Sequence, residues 1–132
     1  MHLLDTNACI ALLNGTSAVL VERLRQRSPS EIRLCSVVKA ELLFGARHSA
    51  RVNDNLRLLD RFFATFRSLP FDDLAAEQYG AIRHDLEQRG QPIGANDLLI
   101  ASIALAAQAT LVTANVDEFS RVIGLQVENW QR

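Results

Sequence analysis

One segment constrains this chain more than any other. From about Asn96 to Gln108 the residues favour a helix and are apolar nearly all round. A surface helix keeps a polar face; a helix without one has to be buried between layers. It is no membrane span, because the apolar run Leu98 to Ala107 is about half the length a bilayer needs and carries Ser102. The rest of the chain must supply the layers. With 132 residues it is long enough for one core, so a single domain over residues 1–132 is expected.

The remaining elements are short and alternate. His2-Leu3-Leu4 is an apolar strand. Asp5-Thr6-Asn7 follows, rich in helix-capping residues, and Ala8 to Leu13 is helical. Thr16 or Ser17 caps a helix to about Arg27. Glu31 to Cys35 alternates as a strand, and Ser36 is expected to cap a helix to about His48. Val52, Leu56, Leu59, Phe63 and Phe66 recur at spacings of four, three, four and three, marking an amphipathic helix. Ser68 to Phe71 is a weak strand, and Asp72 or Asp73 caps a long helix. That helix ends where Gly90 can adopt a left-handed cap before Pro92. Thr110 to Thr113 and Leu125 to Val127 are strands on either side of a turn or short helix at Val116 to Phe119. Such alternation predicts an α/β domain whose central sheet is mostly parallel. Chemistry in such sheets gathers beyond the carboxyl ends of the strands.

Composition removes several classes. Two cysteines, Cys9 and Cys35, make no disulfide scaffold, and no basic n-region precedes the first apolar residues. A cytoplasmic protein with reduced thiols is the expectation. The net charge is −1, but it is unevenly spread: Glu22 to Arg67 carries +5 and the remainder −6. The basic stretch is a candidate surface for a nucleic-acid backbone.

Three acids fall in suspicious places. Asp5 stands just past the first strand, where capping alone also explains it. Glu41 lies mid-helix beside Val38, Phe44 and Gly45, a face on which an unpaired carboxylate is costly unless simply exposed. Asp97 opens the apolar helix, again a capping position, although that helix has no other charge. If the first and fourth strands are neighbours, Asp5 and Thr113-Ala114-Asn115 share one edge. Acids converging there without cations cannot all stay ionised unless metal ions neutralise them, and oxygen donors suit Mg²⁺ or Mn²⁺. His2, His48 and His84 lack the spacing of a zinc site. Phosphate-binding glycine loops and nucleophile elbows are also absent from the sequence.

Four blocks then occur in order: Leu3-Leu4-Asp5-Thr6-Asn7; Ser36-Val37-Val38-Lys39-Ala40-Glu41-Leu42 with Gly45; Pro92-Ile93-Gly94-Ala95-Asn96-Asp97-Leu98; and Leu111-Val112-Thr113-Ala114-Asn115 with Glu118-Phe119. Together with Gly124-Leu125 and Glu128-Asn129-Trp130, they make the whole chain resemble the PIN-domain ribonucleases of the VapC family, the toxin half of bacterial toxin–antitoxin pairs. The resemblance implies a PIN-like fold and an acidic pocket for Mg²⁺ or Mn²⁺. It implies Asp5, Glu41 and Asp97 as catalytic acids and metal ligands, Glu41 directly or through water, with Thr6, Thr113 and Asn115 lining the pocket. Two departures stand out. Asn115 occupies a place where many PIN domains have a fourth acid, which Asp117 or Glu118 could replace. Ile103 stands where this branch often has His, a change expected to touch packing or dimer contacts.

The implied activity is metal-dependent endonucleolytic cleavage of RNA, with water attacking in line and leaving a 5′-phosphate and a 3′-hydroxyl. Transfer RNA is the implied substrate, the initiator tRNA anticodon loop being the first candidate. The implied partners are a cognate antitoxin and a second copy of the chain. An antitoxin helix is expected in an apolar groove formed by Ile10, Leu13, Val21 and Leu24, presenting a basic side chain to the acids. Leu58 and Phe62, beyond the main core stripe of their helix, are expected at the dimer contact. The alternatives are a catalytically silent PIN scaffold that binds RNA or protein, and a small-molecule phosphohydrolase. The latter lacks the usual Asp-x-Asp pair.

Overall fold

The structure, a computed structural model of residues 1–132, alternates strand and helix. Its elements are β1 (His2–Leu4), α1 (Thr6–Asn14), α2 (Ala18–Arg25), a 3-10 turn (Pro29–Glu31), β2 (Ile32–Cys35), α3 (Ser36–Arg47), α4 (Val52–Thr65), β3 (Arg67–Leu69), α5 (Asp73–Gln88), α6 (Ala95–Ala106), β4 (Thr110–Val112), α7 (Val116–Phe119) and β5 (Val127–Glu128). The five strands form one wholly parallel sheet in the order β3-β2-β1-β4-β5. Leu3 and Leu4, Leu34 and Cys35, and Leu111 and Val112 are buried as consecutive pairs rather than alternately. That is the mark of strands covered on both faces by helices. α6 lies along α5 and buries Leu98, Ile100, Ala101, Ser102, Ile103 and Ala104. Its one interior hydroxyl is satisfied within the helix, because Ser102 donates to the Leu98 carbonyl at 2.7 Å. No helix is long and apolar enough to cross a membrane.

Local chemistry explains the element ends. Ser17 and Asp72 accept the N–H of the third residue on, capping α2 and α5. Gly90 follows α5 with φ +67°, in the left-handed region that glycine enters freely. The expected cap on α3 is corrected: Cys35 takes the N-cap position without a side-chain hydrogen bond, and Ser36 is the first helical residue, exposed. β3 and β5 are each displaced by a residue or more from their expected spans, because pairing with β2 and β4 sets their limits.

The basic stretch does not present one free face. Arg23 donates to the Asn129 and Arg132 carbonyls, and Arg27 lies 4.7 Å over the Trp130 ring. Arg33 donates to the Ser30 carbonyl, Lys39 sits over Phe63, and Arg51 and Arg57 both pair with Asp54. Much of the local positive charge thus secures the fold itself. Phe62 is also drawn inward, half-buried against Phe63 and Phe66, so that Leu58 alone of the two residues expected at a dimer contact remains exposed.

Candidate active site

The strand order reverses at β1: the chain runs from β1 outward to β2 and β3, then returns to place β4 on the other side. A crevice forms at the carboxyl ends of strands at such a point. Asp5 directly follows β1 and Thr113 directly follows β4. The backbones are tied together there by the Asp5 N–H, which donates to the Val112 carbonyl at 3.1 Å. Asp5 also caps α1, its Oδ1 accepting the Ala8 N–H at 2.8 Å. Capping and the site position are therefore compatible roles of one carboxylate. Burial pushes the Asp5 carboxyl up from its ordinary range; hydrogen bonds from Thr113 and the Ala8 N–H oppose this, and the Glu41 charge adds to it. Thr113, itself buried, also accepts the Asn115 N–H at 2.9 Å, which fixes the β4–α7 turn.

Glu41 is half-buried in the middle of α3. The Thr6 hydroxyl, on the first residue of α1, donates to its Oε1 at 2.6 Å. That bond leaves Oε2 free. Asp97 lies in the first turn of α6, and Glu118 of α7 comes against it. Glu118 accepts the Gly94 N–H at 2.7 Å through Oε1 and the Asn115 amide through Oε2. Asp97 and Glu118 stand as two carboxyl groups against each other. Burial, then the hydrogen bond and charge of Glu118, then the charges of Asp5 and Glu41 push Asp97 up to about 7. Burial would also raise Glu118, but the Gly94 N–H, Asp97 and the Asn115 amide outweigh it and hold that carboxyl below its ordinary value.

Asn115 is thus less a lining residue than a clamp on Glu118. Of the two acids that could stand in for a carboxylate at 115, Glu118 joins the cluster. Asp117 is exposed and makes no hydrogen bond with it. Ile103 is buried in the core, where its contribution is to packing.

The donor set fits a hard divalent cation. The groups are carboxylate and hydroxyl oxygens, with no thiol or imidazole among them; no lysine or arginine charge acts on Asp5 or Asp97, and Arg121 acts on Glu118 alone. No three His, Cys, Asp or Glu side chains close into a ready cage. Mg²⁺ does not require one, since it keeps several waters and binds through one or two carboxylates. At Gly94 a Cβ would approach Asp97 Oδ2 and Glu118 Oε1 to 3.6 Å each, so glycine keeps that side of the pair open.

A cavity of about 750 Å³ opens at Glu41, lined by Thr6, Ser36, Glu41, Phe44 and Asn96 among others. Ser36, read from sequence only as a cap, belongs to this wall. A second cavity of about 280 Å³ lies between α1, α3 and α4, with Ile10, Leu13, Leu42, Leu58 and Leu59 in its walls and Glu41 at its edge. The residues expected to form one apolar groove are divided between cavities. Ile10 and Leu13 contribute, whereas Leu24 lines a separate cavity and Val21 lines neither.

The sequence matches the PIN domain family over residues 2–125. It is 38% identical to Ribonuclease VapC2 of Rickettsia felis, with 100% of this chain and 99% of that protein covered. It is 35% identical to the tRNA(fMet)-specific endonuclease VapC of Shigella flexneri, over 97% of this chain and 96% of that protein. The structure superposes on the crystal structure of VapBC2 from Rickettsia felis bound to a DNA fragment from their promoter. The TM-score is 0.91 and the identity 38%, with 98% of each chain covered.

Proposed function

The chain belongs to the PIN-domain family of VapC ribonucleases, and from that premise we propose that it is a toxin that cleaves RNA endonucleolytically with Mg²⁺ or Mn²⁺. The observation that carries this reading is the gathering of Asp5, Glu41, Asp97 and Glu118 around the point where the sheet reverses its strand order. Asp5 and Asp97 would hold the ion, with Glu41 directly or through water. When bound, it supplies neutralisation of charge on the phosphate and activation of water. The chain's own groups do the positioning. The Thr6 hydroxyl orients Glu41, Thr113 and the Ala8 N–H orient Asp5, and Glu118 stands against Asp97 and favours its protonated form in the ion-free chain. No side-chain nucleophile stands among them; Cys9 and Cys35 are fully buried, and burial pushes both thiols up.

Transfer RNA is the proposed substrate class, with the initiator tRNA anticodon loop as first candidate, supported by the name of the Shigella flexneri relative. A cognate antitoxin is the proposed inhibitor, in line with the VapBC2 complex of the Rickettsia felis relative. Its segment would lie in the apolar cavity between α1, α3 and α4 and bring a basic side chain to the acids by way of Glu41. A homodimer is proposed as the assembly, and sedimentation giving only a 14.7 kDa species at micromolar concentration would contradict it. The decisive experiment compares RNA cleavage with and without Mg²⁺ for the wild type and Asp5→Asn. The expected result is cleavage by the wild type with Mg²⁺ alone. Equal cleavage by a folded Asp5→Asn protein, or hydrolysis of small phosphate esters but not RNA, would overturn the reading.

A further inference from the structure

Phe44 is 71% exposed, although the buried face of its helix is made by Val38, Leu42 and Ala46. Two residues beyond Leu42 it points roughly 200° away around the helix, so the core does not use it. A single exposed apolar residue is ordinary. This one has a particular address: it lies one turn after Glu41 and lines the same cavity of about 750 Å³ as Thr6 and Glu41. One face of its ring is already partnered, because the His48 ring stacks on it at 5.8 Å and 17°.

We infer that Phe44 is a stacking platform for an unpaired nucleobase beside the phosphate that the acidic cluster receives. The inference rests on the ribonuclease reading and deepens it, naming single-stranded RNA with a splayed base as the form bound. Residues three apart on a helix have side chains about 5–6 Å apart, a separation that lets Glu41 face a phosphate while Phe44 meets a base of an adjoining nucleotide. No arginine or lysine lines this cavity, and its polar walls are the Glu41 carboxylate and the neutral Thr6, Asn7, Ser36 and Asn96. Affinity inside it does not come from ion pairs between basic side chains and phosphates. Stacking on an aromatic face, with hydroxyl and amide groups for base edges or the 2′-hydroxyl, is what remains. An apolar antitoxin segment has a better seat in the leucine-walled cavity between α1, α3 and α4.

The test uses an RNA stem–loop that the wild-type protein cleaves, and the same RNA with a single abasic nucleotide at each position flanking the cleaved bond. Stacking of a base on an aromatic side chain corresponds to a loss of roughly 5- to 150-fold on its removal. Phe44→Leu, which keeps apolar bulk but loses the π-face, is expected to lower kcat/KM about tenfold, chiefly through KM, with an unchanged melting temperature. Phe44→Trp restores most of the loss. At one flanking position the abasic substitution costs the wild type the same factor and costs the Phe44→Leu protein nothing further. Wild-type kinetics for Phe44→Leu, losses that multiply at every position, or weakened antitoxin binding with unaltered cleavage would each overturn the inference. If the wild type cleaves no RNA at all, the ribonuclease reading itself fails and this one falls with it.

Discussion

Asp97→Asn should make the ion-free protein more stable at neutral and alkaline pH. The carboxyl of Asp97 is raised from 3.8 to about 7 by burial and by Glu118, Asp5 and Glu41. Each unit corresponds to ~1.36 kcal/mol, so about 4 kcal/mol is the ceiling on what its charge costs the fold. Asp97 is only half-buried, and solvent screening reduces this to roughly 1–2 kcal/mol. Against it stands the attraction of a carboxylate to the first turn of α6, about 0.3–1 kcal/mol, which the amide forfeits. The crowding of carboxylates wins by about 1 kcal/mol, or about 3–5 °C in Tm for a chain of this length. Because the folded-state pKa lies above the unfolded one, wild-type stability is intact below about pH 4 and is lost as pH rises through about 7. The Tm of variant and wild type, measured in chelator, should therefore coincide in acid and separate by about pH 8. Added Mg²⁺ should raise the wild type more than the variant. A variant that melts at or below the wild type at about pH 8, or a gap independent of pH, would refute the electrostatic account.

Much of this site could be read from local sequence because its acids interrupt apolar patterns. Asp5 ends an apolar strand and Asp97 begins a helix with no other charge, so each declared itself against its neighbours. The alternation of short strands and helices was equally legible, since a sheet buried on both faces needs consecutive apolar residues. What local pattern could not carry was adjacency. The choice between Asp117 and Glu118 depends on the phase of a four-residue helix and on the Gly94 N–H, 24 residues away in sequence. The apolar groove pairs α1 with α3 and α4, and no residue of α1 records which helices lie beside it. Arg23 and Arg27 looked available for RNA until the C-terminal segment was seen to occupy them. Phe44 is hidden for the opposite reason: in an apolar helix an outward phenylalanine resembles an inward one.

Three further outcomes are expected. Thr6→Val removes the 2.6 Å hydrogen bond that orients Glu41, so cleavage should fall about tenfold while Tm moves by the equivalent of no more than about 1 kcal/mol; unchanged cleavage kinetics would show that Glu41 is positioned otherwise. Leu58→Glu places a charge in the leucine-walled cavity, so antitoxin affinity, measured by calorimetry, should drop at least about tenfold, and undiminished affinity would put the antitoxin elsewhere. Asn115→Asp, the change toward the acid that many PIN domains carry, should destabilise the ion-free chain rather than simply add a ligand. The Asn115 amide now donates to Glu118, and Glu118 depends on that donor and on the Gly94 N–H to stay ionised beside Asp97. A carboxylate in its place has no proton to give at neutral pH and brings a further negative charge against two others. The lost hydrogen bond to a charged group alone is worth about 1.5–3 kcal/mol where buried, and the exposure of Asn115 brings the expected loss to about 1 kcal/mol. Divalent ions should reverse it, so the difference in Tm from wild type should shrink as Mg²⁺ is added. A variant as stable as the wild type in chelator would mean that Glu118 does not need its amide partner, and that the neutral residue at 115 has no part in arranging the acids.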